Sequence, residues 1–328
     1  MKAVVIDEYG PPEVLRLADV EKPVPKRNEI LVRVRAVAVT FGECKARNFK
    51  IPYSQFWLPG PLWLPARLML GFSKPRHAIP GSEMSGDVEA VGEDVTSFKP
   101  GGQIFGFIEG FGADAEYVCF PEDAVVAAKP SNMTYEEAAP VTHGALTALC
   151  FIRKAGIKEG ERVLVFGASG GIGRCAVQLA KNQGAHVTGV CSGPKMDVVK
   201  RLGADEAIDY TSEDFTRNQK TYDVIFDTVG KTSFAQVKGS LNENGRYLLS
   251  AFASWQLVQT LWTSMAGGKR VIAAFAPILK EDLMHIRDLM EEGKLKTIID
   301  KSFPLERIAE AHSYVERRLN AGSVVVTV

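Results

Sequence analysis

The residues with the clearest chemical potential form a glycine-rich turn within VLVFGASGGIGRCAVQLA, residues 163–180. A strand-like run precedes the turn and a helical run follows it. The spacing Ala168-x-Gly170-x-x-Gly173 is a variant of the dinucleotide fingerprint, with alanine in the first position. Because Gly170 and Gly171 lack a Cβ atom, a pyrophosphate can approach the backbone amides at the helix N-terminus. The pattern predicts a dinucleotide site, and a purely structural turn is the alternative.

The next strand, HVTGVC, ends at Cys191, and Ser192 follows where many such sites carry an acid that binds the ribose hydroxyls. A carboxylate there would repel a 2′-phosphate, whereas Ser192 can donate a hydrogen bond to one. Lys195 adds a positive charge, and Tyr210, at the end of EAIDY, can lie alongside. Lys195 taken alone could equally be an exposed lysine at a helix start. Together these residues predict NADPH rather than NADH.

Composition limits the partners and the compartment. The 328 residues are long for one domain and favour two. Lys and Arg number 39, as do Asp and Glu, and a net charge of zero argues against nucleic acid as a partner. The five cysteines form no CxxC pair, which is typical of reduced thiols. Because MKAVVIDEYG also lacks an apolar signal core, we expect a cytoplasmic protein.

The apolar stretch QFWLPGPLWLPARLMLGF, residues 55–72, approaches the length of a bilayer span. However, Pro59, Pro61 and Pro65 would break helical hydrogen bonds in lipid, so we expect no membrane-spanning helix. Two interpretations of the stretch remain. It is either a lid that widens a pocket for lipophilic compounds, or a segment that packs against the fold or a partner subunit.

The order of elements predicts an α/β protein. Segment 29–39 alternates apolar and charged residues at its start, and segment 86–107 contains short β-forming runs separated by glycine and proline, which indicates a barrel or folded sheet in the first third. Residues 134–156 are helical in composition, with Thr134 and Glu137 placed as a capping box. Strands and helices then alternate, which predicts a doubly wound parallel sheet with helices on both faces.

Five segments in this order resemble the medium-chain dehydrogenase/reductases, specifically their quinone oxidoreductase branch. They are GPPEVLRL (10–17), IPGSEMSGDVEAVGEDVTSFKPGGQIFG (79–106), GALTAL (144–149), GASGGIGRCAVQLAKNQGAHV (167–187) and LGADEAIDY (202–210). The resemblance implies a GroES-like β-barrel domain over residues 1–126 and 268–328. It also implies an NADP-binding Rossmann domain over 127–267, a cleft between the two domains, and a homodimer joined through Rossmann edge strands.

The resemblance also implies particular cofactor contacts. The family's 2′-phosphate contacts fall on Ser192, Lys195 and Tyr210. The remaining family positions are Gly170, Gly171 and Ile172 at the pyrophosphate, Thr147 near the cofactor, and Val229, Ser250, Ala251 and Phe252 near the nicotinamide.

A catalytic zinc is not expected. Zinc alcohol dehydrogenases of this superfamily read Gly-His-Glu where this chain reads Gly81-Ser82-Glu83, so serine replaces a histidine ligand. A cysteine ligand should fall near Thr40, and none is there. Catalytic zinc requires three converging protein ligands, and His143, the remaining candidate, is better explained by packing or a local hydrogen bond.

Without a metal, the chemistry best suited to this chain is NADPH reducing a quinone or an α,β-unsaturated carbonyl, because such electrophiles are already polarised. The developing oxyanion needs a hydrogen-bond donor and a proton. The corresponding loop, residues 39–53, supplies Thr40, Lys45 and Tyr53, although structural roles are the alternative for each. The family usually reads Asn-Pro-x-Asp where this chain reads TFGE. An NADP-dependent alcohol dehydrogenase and a non-enzymatic NADPH-binding protein remain alternative functions.

Overall fold

The computed structural model describes residues 1–49, 71 and 74–328. Within them, strands dominate the first third of the chain and alternate with helices afterwards. The strands are β1 (Lys2–Val5), β2 (Arg16–Asp19), β3 (Glu29–Val39), β4 (Glu83–Val91), β5 (Gln103–Phe107), β6 (Tyr117–Pro121), β7 (Val125–Ala128), β8 (Arg162–Phe166), β9 (His186–Cys191), β10 (Glu206–Asp209), β11 (Tyr222–Asp227), β12 (Leu241–Leu249), β13 (Arg270–Ala273), β14 (Ile299–Pro304) and β15 (Ser323–Thr327).

The described α-helices begin with a short one after β3 and end with one before β15. They are α1 (Phe41–Asn48), α2 (Tyr135–Ala138), α3 (Thr142–Ala155), α4 (Gly171–Asn182), α5 (Met196–Arg201), α6 (Phe234–Val237), α7 (Ser254–Ala266), α8 (Lys280–Glu291) and α9 (Ile308–Glu316). The capping box predicted from Thr134 and Glu137 is confirmed at the start of α2. The helix predicted over 134–156 is divided between α2 and α3, with a 3-10 turn at Ala139–Val141 that contains Pro140.

One seven-stranded sheet combines strands from both ends of the chain. Its order is β14-β15-β3-β4-β5-β7, and β6 also pairs with β3. The eleven residues of β3, EILVRVRAVAV, are rich in β-branched side chains, and Ile30, Val32 and Val34 are buried in the core of this unit. The predicted GroES-like barrel is therefore confirmed, with both chain ends contributing to it.

The second sheet has six parallel strands in the order β10-β9-β8-β11-β12-β13. Successive residues of β8 enter different cores: Val163 and Val165 pack on one face and Leu164 on the other. Burial on both faces is characteristic of a doubly wound sheet, so the predicted Rossmann fold is confirmed. The connection direction reverses between β8 and β11, and such a reversal opens a ligand crevice at the carboxyl ends of these strands.

The strand Arg270–Ala273 lies in the parallel sheet, whereas the sequence division at residue 268 assigned it to the barrel domain. It pairs in parallel with β12, Leu249 opposite Ala273, and α7 packs against it. The strand is four residues long and has two buried apolar side chains, a pattern that is compatible with either sheet. The crossover through α7 decides which sheet the strand joins.

The part of the chain that the structure describes contains no helix long and apolar enough to cross a membrane. Apart from Gly71, the apolar stretch 55–72 lies outside the described residues, so both interpretations of it stay predictions.

Candidate active site

The glycine-rich turn forms an anion-binding helix N-terminus at the carboxyl end of β8. The amide of Arg174 donates the first hydrogen bond of α4, to the carbonyl of Gly170 at 2.9 Å. The amides of Gly171, Ile172 and Gly173 precede it, in the first turn, where helical geometry provides no intrahelical acceptor. The helix dipole adds positive partial charge at the same point. These donors suit the pyrophosphate of a dinucleotide.

The space around the turn fits the same ligand. A Cβ atom on Gly173 would lie 2.1 Å from the carbonyl oxygen of Gly167, so only glycine allows α4 to begin there. A Cβ atom on Gly171 would meet no atom of the described residues within 4 Å, which leaves room for a phosphate. A Cβ atom on Gly144 of α3 would lie 2.9 Å from the Gly171 carbonyl oxygen. Thus α3, which carries the buried Thr147, packs directly against the turn.

The structure places Ser192 and Lys195 together beyond the end of β9. Ser192 is extended and precedes a 3-10 turn at Gly193–Lys195. Lys195 Nζ donates to the carbonyl oxygen of Arg318 at 2.8 Å, and partial burial lowers the pKa of this amine. Sequence reasoning missed Arg318, because 123 residues separate it from Lys195 and no local pattern marks it.

An acid also lies on this side of the site, although it comes from the neighbouring strand. Asp209, the last residue of β10, accepts hydrogen bonds from the amide and hydroxyl of Thr211, which lower the pKa of its carboxyl. Its Oδ2 atom would lie 2.6 Å from a Cβ atom on Gly193. Tyr210 is exposed, with its ring 6.3 Å from that of Phe166. The predicted lysine and tyrosine are therefore accompanied by a carboxylate that sequence reasoning did not include.

A rigid loop follows β11 at the other end of the crevice. The buried carboxylate of Asp227 accepts five hydrogen bonds of 2.7–2.9 Å, which fix the loop's conformation. The donors are the backbone amides of Val229, Gly230, Lys231 and Thr232 and the hydroxyl of Thr232. Because its amide is already bound to Asp227, Val229 keeps only its carbonyl group for a cofactor.

The residues after β12 lie against this loop. A Cβ atom on Gly230 would come 2.7 Å from the carbonyl oxygen of Ala251. Ser250 directly precedes Ala251, and Phe252 follows it with its ring 5.1 Å from the ring of Phe275. Phe275 is 66% exposed, so an aromatic surface borders the carboxyl edge of the sheet. The structure thus brings together all four residues that the resemblance assigned to the nicotinamide end.

On the barrel side, Thr40 caps α1. Its hydroxyl accepts from the amide of Glu43 at 3.2 Å, and Glu43 Oε2 accepts from the amide of Thr40 at 2.9 Å. Glu43 Oε1 accepts from the amide and hydroxyl of Ser82 at 2.9 and 2.8 Å. Thr40 therefore has a defined structural role, as the alternative interpretation proposed, and its hydroxyl also makes a 3.3 Å contact with Glu43.

The other two candidate donors are placed differently. Lys45 is exposed on α1, with Nζ 5.1 Å from the ring centroid of Phe41. Tyr53 lies outside the described residues, and its role stays a prediction. On this side, therefore, the structure connects Thr40, but not Lys45, to the buried polar groups beneath the cleft.

Three buried carboxyl groups lie close together beneath Thr40: Glu43, Glu83 and Asp114. Burial, together with the nearby Glu43, raises the pKa of Glu83 to about 8. Burial likewise raises the pKa values of Glu43 and Asp114. Each of these acids therefore favours its protonated form more than it would in water.

These side chains do not fit a catalytic zinc. Among the described residues, no group of three or more histidine, cysteine or acidic side chains is arranged to hold a metal ion. Ser82, at the position of the missing histidine, directs its hydroxyl to Glu43 rather than into the cleft. Zinc ligands must converge on one point, and the polar groups here bind one another instead.

His143 connects the barrel to the Rossmann unit. Its amide donates to Glu83 Oε2 at 2.9 Å, and its ring lies 6.0 Å from that of Phe107 at the end of β5. The next residue, Gly144, contacts the glycine-rich turn. His143 is exposed, although protein encloses the ring on its other sides and lowers its pKa. Sequence reasoning considered this residue as a metal ligand or as a group that packs or makes a local hydrogen bond.

Comparison with known proteins identifies both units. The family profile described as alcohol dehydrogenase GroES-like domain matches residues 26–131, and the profile described as zinc-binding dehydrogenase matches 202–326. The 2-methylene-furan-3-one reductase of Solanum lycopersicum is 31% identical over 339 residues, covering 99% of this chain and 79% of the relative. Quinone-oxidoreductase QR1 of Triphysaria versicolor is 30% identical, with coverage of 95% and 93%.

Solved structures of other proteins have the same fold as this chain. The quinone oxidoreductase from Coxiella burnetii superposes with a TM-score of 0.83 at 28% identity, covering 100% of this chain and 99% of the other. A structure described as an NAD-dependent alcohol dehydrogenase gives a TM-score of 0.82 at 29% identity, with complete coverage of both chains. The two-domain architecture is therefore shared over the whole length.

The raised pKa of Glu83 predicts how stability changes with pH. The folded protein keeps this proton up to about pH 8, whereas the unfolded chain releases it near the ordinary pKa of 4.5. The folded state thus binds more protons between these values, and the free energy of unfolding should fall as pH rises through them. Glu83→Gln, which keeps an acceptor for the His143 amide, should flatten this slope.

Urea unfolding at a series of pH values between 4.5 and 8 measures the effect. Glu93→Gln is the matched control, because the Glu93 side chain is 82% exposed, and its slope should equal that of the wild type. Because the pKa values of Glu43 and Asp114 are also raised, the free energy of unfolding of Glu83→Gln should still fall with rising pH, but with a smaller slope than that of the wild type. An unchanged slope would contradict the raised pKa.

Proposed function

Because this chain belongs to the quinone and enone oxidoreductases of the medium-chain dehydrogenase/reductase superfamily, we propose that it reduces quinones or α,β-unsaturated carbonyls with NADPH, without a metal. One observation carries the proposal. The start of α3 contacts the glycine-rich turn through Gly144 and the barrel carboxyl Glu83 through His143. A dinucleotide bound at the turn therefore shares one cleft with the polar groups of the barrel.

A separate group of residues would hold each part of the cofactor: the pyrophosphate, the adenosine end and the nicotinamide. The amides of Gly171 and Ile172 would donate to the pyrophosphate, and Thr147 lies on the adjacent α3. The Gly170 amide, which the resemblance also assigned to the pyrophosphate, instead donates to the carbonyl oxygen of Gly167 at 2.9 Å. Ser192, Lys195 and Tyr210 take the adenosine end, while Val229, Ser250, Ala251 and Phe252 border the nicotinamide. When bound, the reduced nicotinamide supplies a hydride.

The preference for NADPH rests on the charges around Ser192. Lys195 is a cation close to Ser192, held in place by the Arg318 carbonyl, and a 2′-phosphate would gain a charge-assisted hydrogen bond from it. Asp209 opposes this preference, because its carboxylate lies beside Gly193. The Lys195 charge, together with the hydroxyl donors of Ser192 and Tyr210, favours the phosphorylated cofactor, with a smaller discrimination than a site without Asp209 would give.

The acceptor is a lipophilic electrophile that lies between Phe252 and Phe275 on one side and Thr40 on the other. The exposed aromatic surface suits the flat ring of a quinone or a conjugated enone. Thr40, Lys45 and Tyr53 remain the candidate donors from the barrel loop. An alcohol dehydrogenase reaction is disfavoured because Ser82 binds Glu43 instead of completing a zinc site.

The protein is further proposed to be a cytoplasmic homodimer. β13 is an edge strand of the parallel sheet, and α7, which packs on it, exposes Val258, Leu261, Trp262 and Met265. Residues 251–268 include no charged side chain. A second copy pairing along β13 would cover both the strand edge and this apolar face. All five cysteines are free, as is usual in a reducing compartment.

The activity itself is tested by NADPH oxidation with a 1,4-quinone and a 2-alkenal, run side by side in EDTA. Turnover with either acceptor is expected, since the proposed chemistry needs no metal. A primary alcohol with NADP⁺ is the control reaction. NADP⁺ reduction by the alcohol, or NADPH binding without oxidation by either acceptor, would contradict the proposal.

Lys195→Ala should weaken NADPH binding by about 1.5–3 kcal/mol, the usual contribution of a hydrogen bond to a charged group, and leave NADH binding nearly unchanged. Asp209→Asn should act in the opposite direction, because it removes a negative charge beside the 2′-phosphate. Fluorescence titration with both cofactors measures each change. Equal losses for NADPH and NADH in the Lys195 variant would disprove the 2′-phosphate assignment.

The double variant Val258→Glu and Met265→Glu should convert the dimer to a monomer, because it places charges on an apolar interface. Sedimentation velocity measures the change in mass. Val24→Glu, at an exposed apolar residue in the barrel segment between β2 and β3, is the control and should stay dimeric. A monomeric wild type would contradict the dimer.

A further inference from the structure

We propose that His143 is a catalytic residue, whose ring N–H donates a hydrogen bond to the acceptor oxygen when the hydride arrives. This inference rests on the proposed reduction of a carbonyl or quinone. It adds a donor from the Rossmann side of the cleft, independent of the three candidates in the barrel loop.

Two backbone contacts fix the position of His143 in the fold. His143 lies in the first turn of α3, and its amide is bound to Glu83 Oε2 at 2.9 Å. Its neighbour Gly144 is close to the backbone of the glycine-rich turn, where a Cβ atom would meet Gly171 at 2.9 Å. The residue is therefore anchored on the barrel side and on the phosphate side at once. Neither anchor uses the ring nitrogens.

The ring lies beside an apolar surface and is open on another side. Its centroid is 6.0 Å from that of Phe107, which ends β5 opposite Glu83 in the barrel sheet. His143 is exposed although it is next to the buried Glu83. An enclosed but accessible imidazole can contact a small substrate, whereas a packed core histidine cannot.

The electrostatic surroundings keep the imidazole neutral. Desolvation lowers the pKa of His143 below its ordinary value. The nearest acid, Glu83, has a pKa of about 8 and is protonated at neutral pH, so it provides no negative charge to stabilise an imidazolium. Glu43 and Asp114 lie behind Glu83, and burial raises the pKa of each. A neutral imidazole can polarise a carbonyl through its N–H group without carrying charge.

The step balances without a further reactant. Hydride adds to the electrophilic carbon of the acceptor, the C=C electron pair of the enone moves towards the oxygen, and an enolate forms. For a quinone, hydride addition at a ring carbon gives an enolate, which becomes the hydroquinone anion when the proton on that carbon moves to oxygen. The His143 N–H stabilises the oxyanion in either case. Water entering on the exposed side then supplies the proton, so that NADPH, a proton and the acceptor give NADP⁺ and the reduced acceptor.

Thr40 is less suited to this role, because both its amide and its hydroxyl contact Glu43 in the cap of α1. Lys45 extends over Phe41 on the exposed face of α1. The contacts that anchor His143 involve the backbone of residues 143 and 144, so they leave the N–H group of the ring able to donate to the acceptor oxygen.

The decisive experiment compares His143→Phe with His143→Gln. Phenylalanine keeps a ring against Phe107 but removes the donor, whereas glutamine keeps an N–H donor. The expected result is a loss of about 100-fold in kcat for the phenylalanine variant, the usual effect of removing one oxyanion donor. The glutamine variant should recover at least part of that loss. The affinity for NADPH should stay the same in both variants.

His285→Phe is the matched control, because His285 is an exposed histidine on α8, and it should behave as the wild type. Equal kcat for wild type and His143→Phe would overturn the inference. So would a loss explained entirely by weaker NADPH binding or a lower Tm, since that result would indicate a structural role.

A binding measurement separates this inference from the proposed function. A phenolate such as 4-nitrophenolate mimics the oxyanion, and its absorbance reports binding to the NADP⁺-loaded protein. His143→Phe should weaken its binding about tenfold, which corresponds to one hydrogen bond of about 1.4 kcal/mol. If the wild type reduces neither acceptor but this difference is found, the proposed function fails while His143 remains the oxyanion donor. If the wild type is active but phenolate binding is unchanged, only the His143 inference fails.

Discussion

The close backbone contact between the first turns of α3 and α4 is the constraint on which the site depends. Gly144 allows it, because a Cβ atom there would come 2.9 Å from the Gly171 carbonyl oxygen, while Gly173 allows α4 to begin close to the Gly167 carbonyl oxygen. The contact fixes the phosphate turn against α3, and α3 in turn presents the His143 amide to Glu83. Both halves of the cleft are thereby positioned by two helix N-termini.

Buried acids give this cleft its particular chemistry. In a zinc enzyme, carboxylates near the metal are stabilised as anions by its charge. Here Glu43 is held by Ser82 and Thr40, while Glu83 and Asp114 are buried with raised pKa values. The result is a floor of weakly charged hydrogen-bonding groups. Such a floor suits the reduction of an acceptor that is already polarised, rather than the ionisation of an alcohol.

The carboxyl edge of β9 and β10 brings together charged and polar residues from several parts of the chain. Ser192 and Lys195 follow β9, Asp209 comes from β10, and Arg318 approaches from the loop before β15. Parallel strands bring their carboxyl ends to one edge, so residues distant in sequence lie near one another there. The proposed preference for NADPH therefore depends on the sum of these charges.

Local sequence determined the elements and the glycine turn. Alternation of apolar and charged residues predicts β3, a continuous apolar run predicts β8, Thr134 and Glu137 predict a helix start, and the spacing through Gly173 requires close packing, all through short-range geometry. Tertiary structure alone decided that β13 joins the parallel sheet, that Lys195 meets the Arg318 carbonyl, and that the His143 amide binds Glu83. Those outcomes depend on contacts across 24, 123 and 60 residues, which leave no local periodicity in the chain.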